Sequence, residues 1–488
     1  MWPIALLWGA NWHLVPLSQV APITGWIAAM TAVLWLLLRP LARSWVRAAI
    51  AVTVTATALQ LLGLSPLAAW LNILLGLMLS AAAVLVARRA PDRVIDMATF
   101  SLNIAGATVV LVALVPVFLS AIRAPDAPRI EAPELAATTV RAERDILYVI
   151  PDRFGRADVL RDRFDWDQEP FLTALEERGF QIAARSAANY PKTVHSLASA
   201  WSLGYLHEAV EHVPAAAQAD LRLLYPLLND HHLGSIAKDL GYEYLHLGSW
   251  WTPTAGATKA DAILTARGPS QFADVHIDRT LLPDLLEVLP GTQASDENDR
   301  ARRHALHGLD TLRRLAAIDD RPSPRFVLAH LLLPHEPYVF EPDGSPVPPE
   351  LASTRAREEN YRRQLAFTEQ ALLDVIDAWL AQPVDDQPII VLQADEGPHP
   401  VGLYGDPAGF RWVDAAADEQ REKLAIITAL HLPGEAIAVP DTLSPVNTFR
   451  LIFDAYNRTG LGQLPERSYV YAGERELYRF TDVTGVVR

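Results

Sequence analysis

The chain has 488 residues, a formal net charge of −15 and no cysteine. The charge argues against a nucleic-acid partner, which would be held by clustered Lys and Arg. The missing cysteine excludes disulfides and thiol chemistry, whether as metal ligand or as nucleophile. Apolar residues make up 50% of the chain, and they are concentrated at its start. From Met1 to about Ala121 there is no Lys and few acids. Five apolar stretches are read there as membrane spans: roughly 2–20 (interrupted by Asn11 and His13), 22–38, 47–64, 66–87 and 97–121. Basic residues fall in two groups, Arg39, Arg43 and Arg47, then Arg88, Arg89 and Arg93. Basic loops stay cytoplasmic, so the N-terminus is expected inside and the end of the fifth span outside. If the first stretch does not cross, the N-terminus moves outside and the later domain keeps its side. That first stretch has no basic start and no small-residue cleavage site, so it is not read as a signal peptide. Gln60 and Asn72 are too isolated to argue for a transport path, and the region reads as an anchor in the lipid bilayer.

The expected division is a transmembrane domain over 1–122, a linker over 123–143 and an extracytoplasmic domain over 144–488. APDAPRIEAPELAA, Ala124 to Ala137, is Pro- and Ala-rich and reads as extended. In the last domain, short β-rich runs alternate with helical ones. DILYVIPD predicts a strand, EPFLTALEERG a helix closed by Gly179, and FQIAARS a strand leading to a helix from about Thr193 to Leu203. GSIAKDLG predicts a helix ending at Gly241, YEYLHLGS and RFVLAHLLLP strands, and 353–381 one long helix. PIIVLQAD and KLAIITALHL predict strands and VNTFRLIFDAYN a helix. Such alternation predicts an α/β domain with a mixed, mostly parallel central sheet flanked by helices.

Ligand sites in such sheets lie beyond the carboxyl ends of the strands. Those ends are expected to deliver Asp152 and Arg153; Ser249, Trp250 and Trp251; His330, His335 and Glu336; and Asp395 with Glu396. Thr193, behind Lys192 and two residues before His195, opens a helix. Two adjacent buried acids need a positive partner. One divalent metal ion, Mn²⁺, Mg²⁺, Ca²⁺ or Zn²⁺, would supply it through the carboxylate oxygens of Asp152, Asp395 and Glu396. Each residue also has a plainer reading. Asp395 and Glu396 could cap a helix, Thr193 could be an ordinary N-cap, His335 a loop histidine, and His330 a core residue. Trp250 and Trp251 could be packing, and Arg153 solvated. Otherwise Arg153, Lys192, His195, Trp250, Trp251 and His399 would face substrate.

DILYVIPDRFGRADVL, SAANYPKTVHSLAS, YLHLGSWW, LLLPHEPYVFEPDG, LQADEGP and LSPVNTFRLIFDAY together resemble bacterial membrane-anchored sulfatase-like proteins of the alkaline phosphatase superfamily. Lipoteichoic-acid synthase and phosphoethanolamine transferases are better-known relatives. The resemblance runs from about Asp145 to Tyr456. It implies Asp152 as a metal ligand, Thr193 as nucleophile and ligand, Asp395 and Glu396 as the late ligand pair, and His335 on the substrate side. Relatives carry His at the position of Glu396 and Gly at that of Arg153. With no cysteine to convert to formylglycine, phosphoryl chemistry is favoured over sulfatase chemistry. The implied function is metal-dependent hydrolysis or transfer of a phosphoester of an envelope lipid or glycan at a bacterial inner membrane. A covalent phosphothreonine would form, with His335 stabilising or protonating the leaving group. The rival is a non-catalytic module of the same fold that binds an envelope polymer or protein; a transporter is a third reading.

Overall fold

The computed structural model describes all residues except 1, 12–14, 16, 124–126, 267–270, 290–296, 319–323 and 436. The chain forms two compact units. One comprises residues 1–124 and 267–296, the other 125–266 and 297–488.

The first unit begins with α1 (Trp2–Asn11), α2 (Leu17–Ala42), α3 (Trp45–Leu62), α4 (Ala69–Arg89) and α5 (Asp92–Arg123). Among the described residues, four helices, α2 to α5, are long and apolar enough to cross a membrane. The expectation of a span over 2–20 differs from what forms. At 10 residues, α1 rises only about 15 Å against a hydrocarbon core of about 30 Å; His13 lies outside the described residues. Ser44 caps α3 by accepting from the Arg47 amide. The Arg47 guanidinium donates to the carbonyls of Ala87 and Ala90 and pairs with Asp92, which ties the two basic groups together.

Residues 267–296, which sequence reading left in the second domain, return to this first unit. Their described part contains two short helices, Gln271–Ile277 and Leu282–Val288. Phe272 packs with Ile4, Val15 and Val20. Gln60 donates to the Arg279 carbonyl at 2.7 Å, and Asn72 to Asp284 at 2.8 Å. Gln60 and Asn72 therefore hold the described part of this excursion.

The second unit is built on a seven-stranded sheet in the order β2-β7-β6-β1-β5-β3-β4. The strands are β1 (Ile146–Pro151), β2 (Phe180–Ile182), β3 (Glu243–Leu247), β4 (Ala262–Leu264), β5 (Arg325–Leu331), β6 (Ile389–Gln393) and β7 (Thr428–His431). β1 runs parallel to β5 and β6, and β3 parallel to β4 and β5; β7 is antiparallel to β6 and β2. The sheet is thus mixed and mostly parallel, as expected. Every residue of β1, β5 and β6 is buried, the pattern of strands covered on both faces. A separate hairpin pairs β8 (Tyr469–Tyr471) with β9 (Phe480–Asp482).

Three helices matter for the site: α6 (Thr193–Ser202), α7 (Arg357–Leu380) and α8 (Ala417–Leu424). Gly179 (φ 81°) and Gly241 (φ 96°) close the helices before them as expected. Two expectations change. The long helix predicted over 353–381 is broken before Arg357 into Pro349–Thr354 and α7. KLAIITALHL is not one strand: Lys423 and Leu424 end α8, and only Thr428–His431 pair in the sheet.

Candidate metal centre and active site

The β1–β5 register sets Ile150 beside His330 and Pro151 beside Leu331. The Asp152 amide then donates to the Leu331 carbonyl at 2.9 Å, which fixes Asp152 just past the strand end. On the other side of β1, β6 carries Asp395 two residues beyond Gln393. The Ser196 hydroxyl, one turn into α6, donates to the Asp395 carbonyl at 2.7 Å. This bond anchors the start of α6, with Thr193 as its first residue, against the end of β6.

One donor atom each from Asp152, His330 and Asp395 lies within 4.8 Å of the others, and all three residues are buried. This set could hold a metal ion. No good hydrogen bond satisfies Asp152 Oδ1, either oxygen of Asp395 or His330 Nε2. Buried polar atoms are normally paired, so the three fit a cation better than a bare polar core. Electrostatics agrees. Burial, then Asp395 and Glu396, pushes Asp152 well above the usual carboxylate range. Burial and Glu396 push Asp395 up to about 7, eased by the Thr193 hydroxyl and by Lys423. Burial pushes His330 down to about 3, so its imidazole is neutral. Sequence reading placed His330 in the core. It is buried, but its Nε2 lies 3.7 Å from Asp152 Oδ2.

Glu396 has a different surrounding. Its Oε1 accepts from Lys423 Nζ at 2.5 Å and lies 3.3 Å from Arg153 Nε. Against the cost of burial, Lys423 and Arg153 hold Glu396 below its usual pKa. Expected as a metal ligand, Glu396 is thus engaged by two cations of the chain itself. Arg153 adopts a left-handed backbone (φ 64°) and also pairs with Glu336. Despite burial, Glu336 and Glu396 keep it firmly charged. Asp152, Asp395, Glu396 and Glu336 set four carboxyl groups against the two cations Arg153 and Lys423, a surplus that a divalent ion would offset as Asp152 and Asp395 ionise. The Asp395–Glu396 segment is not helical, so neither residue is a helix cap there.

His335 reaches the same cluster, with Nε2 4.0 Å from Asp152 Oδ2. Its Nδ1 meets the Glu336 carbonyl, which places the ring proton on Nδ1 and leaves Nε2 as an acceptor. Burial and then Arg153 push it down to about 4. Gln364 of α7 braces this loop by donating to the His335 carbonyl at 2.7 Å. His399 lies 3.9 Å from Glu396 Oε1, and burial and Lys423 push it well below its ordinary pKa.

The other expected substrate contacts are Lys192, His195, Trp250 and Trp251. Lys192 donates to both oxygens of Glu474 at 2.8 Å, so its charge is already paired. His195, expected to add positive charge, is wholly buried among Tyr190, Tyr471, Tyr478 and Phe480. Burial and Lys192 push it down to about 3, so it brings no charge. Trp250 lines a small cavity with Ser249, His304, His307, Gly308 and His330, and Trp251 lies edge-on to His330 at 6.3 Å. Lys423 and the metal-facing role of His330 were missed from the sequence.

No family model matches this sequence, and no curated protein does. Among solved structures, the chain is similar to the C-terminal periplasmic domain of EptC from Escherichia coli in complex with Zn. Identity is 14%, over 72% of this chain and 96% of that one, with a TM-score of 0.47. It is also similar to the integral membrane lipooligosaccharide phosphoethanolamine transferase A (EptA) from Neisseria meningitidis, at 15% identity, over 74% of this chain and 62% of that one, with a TM-score of 0.38. A third is BT1596, a 2-O GAG sulfatase, at 13% identity, over 68% of this chain and 78% of that one, with a TM-score of 0.40.

Proposed function

We propose that this protein is a membrane-bound, metal-dependent enzyme that hydrolyses or transfers a phosphoester of an envelope lipid or glycan through Thr193. The observation that carries the proposal is the meeting of Asp152, His330 and Asp395, with unsatisfied buried donors, beside the first residue of α6. These three residues would hold a divalent ion, which supplies Lewis-acid stabilisation of the nucleophile and of developing charge. Glu396, expected from the sequence among the ligands, would instead orient Lys423 and Arg153.

Thr193 sits where the free amides and dipole of the ten-residue α6 favour negative charge. Its Oγ would release its proton to water and form a bond to phosphorus, while the bond from phosphorus to the opposite ester oxygen breaks and that oxygen takes a proton from water. Water, or a hydroxyl of an envelope acceptor, would then displace Thr193 Oγ from phosphorus. His335, neutral with Nε2 free to accept, suits proton removal from that incoming hydroxyl. This base role in the second half-reaction is proposed beside the expected one of stabilising or protonating the leaving group. The four apolar helices of the first unit support a substrate at a membrane, here the bacterial inner membrane, with the second unit outside the cytoplasm.

The test is hydrolysis of bis(p-nitrophenyl) phosphate by the detergent-solubilised full chain loaded with Mn²⁺, Zn²⁺, Mg²⁺ or Ca²⁺. Thr193→Ala abolishes turnover and Thr193→Ser retains part of it, with phosphate found on residue 193 by mass spectrometry. Unchanged turnover in Thr193→Ala overturns the proposal. A second reading, a non-catalytic binding module, is favoured by one observation: Arg153 is closed between Glu336 and Glu396. Failure of the protein to retain any of the four metals selects that reading.

A further inference from the structure

Ser249 and Thr254 lie on the loop after β3 and do no chemistry in the proposed reaction, yet they connect to the acid cluster through His330. Thr254 Oγ1 is 3.1 Å from His330 Nδ1. Ser249 Oγ is 2.7 Å from Thr254 Oγ1 and donates to the Trp251 carbonyl at 3.2 Å. A hydroxyl has one hydrogen to donate. With the Ser249 hydrogen on Trp251, Ser249 accepts from Thr254, and Thr254 accepts from His330 Nδ1–H. His330 Nε2 then carries a lone pair, aimed at Asp152 and Asp395. The reverse direction would put a proton on Nε2, 3.7 Å from Asp152 Oδ2, too far for a hydrogen bond.

Thr254 is itself held by a second buried chain whose direction is fixed at both ends. The Gly234 amide donates to His231 Nδ1 at 2.9 Å, so the proton of His231 is on Nε2, facing Tyr244 Oη at 2.9 Å. At the far end His246 Nε2 meets the Thr254 carbonyl at 3.0 Å. A carbonyl only accepts, so His246 carries its proton on Nε2 and takes the Tyr244 hydrogen on Nδ1, 3.0 Å away. All these side chains except Ser249 are buried. Thr254 is thus pinned by its carbonyl while its hydroxyl remains free to orient His330.

We propose that Thr254, backed by Ser249, is a positioning residue that fixes His330 in the Nδ1–H tautomer, so that Nε2 joins Asp152 and Asp395 as the third donor to a divalent metal. The inference rests on the metal reading of the site given above. A partner on the far nitrogen of a ligating imidazole sets its tautomer and orientation, and its loss costs roughly 10- to 100-fold in metal affinity.

The experiment is chelator competition for Zn²⁺ and Mn²⁺ with the full chain in detergent, alongside thermal melting of the metal-free proteins. Thr254→Val is expected to weaken binding about 10- to 100-fold, with Thr254→Ser close to wild type. Ser249→Ala is expected to weaken it about 10-fold, at the lower end of that range, and stands in should Thr254→Val not fold. His330→Gln marks the loss of the ligand itself. If His330→Gln weakens binding but Thr254→Val and Ser249→Ala do not, the relay is overturned and the metal site stands. If wild type binds no metal, the metal reading falls and the relay falls with it; if wild type binds metal and His330→Gln binds it as tightly, His330 is not a donor and the relay falls while the metal site stands on the acids.

Discussion

Lys423 Nζ lies 2.5 Å from Glu396 Oε1, with the lysine wholly buried and the glutamate 2% exposed. This contact separates the acids at the end of β6 into two kinds. Glu396 is balanced by charges of the chain, whereas Asp395 one residue earlier is not.

That division predicts unequal responses to losing Lys423. Removing one partner of a buried ion pair leaves an uncompensated charge and costs about 3–5 kcal/mol. Arg153, 3.3 Å from Glu396, keeps Lys423→Met toward the low end of that range. The double variant Lys423→Met/Glu396→Met removes the stranded charge and is expected to recover most of the loss. Thermal melting of the three proteins checks this; equal damage in the single and double variants would show that Lys423 acts through packing alone.

Asp395 should behave in the opposite way. Without metal it is a buried carboxylate set against Asp152 and Glu396, pushed up to about 7. Asp395→Asn removes that repulsion, so the metal-free variant is expected to melt a few degrees above metal-free wild type. Adding metal at 100 times its dissociation constant should stabilise wild type by about 2.7 kcal/mol and the variant far less. Stripping wild type with a chelator should return it to the lower melting point. A variant that melts no higher without metal would mean that the acids are not in conflict.

Much of this arrangement could be read from the sequence, for a physical reason. Asp152, Asp395 and Thr193 each follow a local signal, an apolar run ending in an acid or a hydroxyl opening a helix, and a parallel sheet brings such ends to one edge. His330 gave no such signal. In RFVLAHL every residue is buried, so no alternation distinguishes a side chain aimed at the site from one in the core. Lys423 was hidden because ADEQREKL reads as a charged, solvated helix, while in the fold Gln420, Glu422, Lys423 and Leu424 are buried. Thr254 sits on a short turn after the tryptophans, and its bond to His330 spans 76 residues. Such pairings depend on tertiary register, which local pattern does not encode.

Gly397 shows what that register demands. Its amide donates to the Lys423 carbonyl at 2.7 Å. A Cβ on Gly397 would lie 2.4 Å from the Glu422 carbonyl oxygen and 3.0 Å from that of Lys423. Gly397→Ala must therefore push the end of α8 away from β6. Overpacking of this kind typically costs about 1–3 kcal/mol, and here it also shifts Lys423 from Glu396. The expected result is a lower melting point together with weaker phosphodiesterase activity. Wild-type stability in Gly397→Ala would show that α8 can move without consequence.

Glu369, on α7 away from the acids, gives a separate pH-dependent term. Burial pushes its carboxyl up to about 8, only partly offset by hydrogen bonds from Trp166 and Gln168, at 3.2 and 3.4 Å. Its folded pKa lies above the unfolded value, so the folded state binds the extra proton. The stabilising contribution is complete below the unfolded pKa of about 4.3 and is lost as pH rises through about 8. Within that window it changes by at most about 1.4 kcal/mol per pH unit. Glu369→Gln keeps a neutral side chain of the same shape at every pH. It should match wild type near pH 5 and exceed it near pH 8.5, with a flatter dependence between. Parallel melting curves for the two proteins from pH 5 to 8.5 would mean that Glu369 ionises freely in the fold.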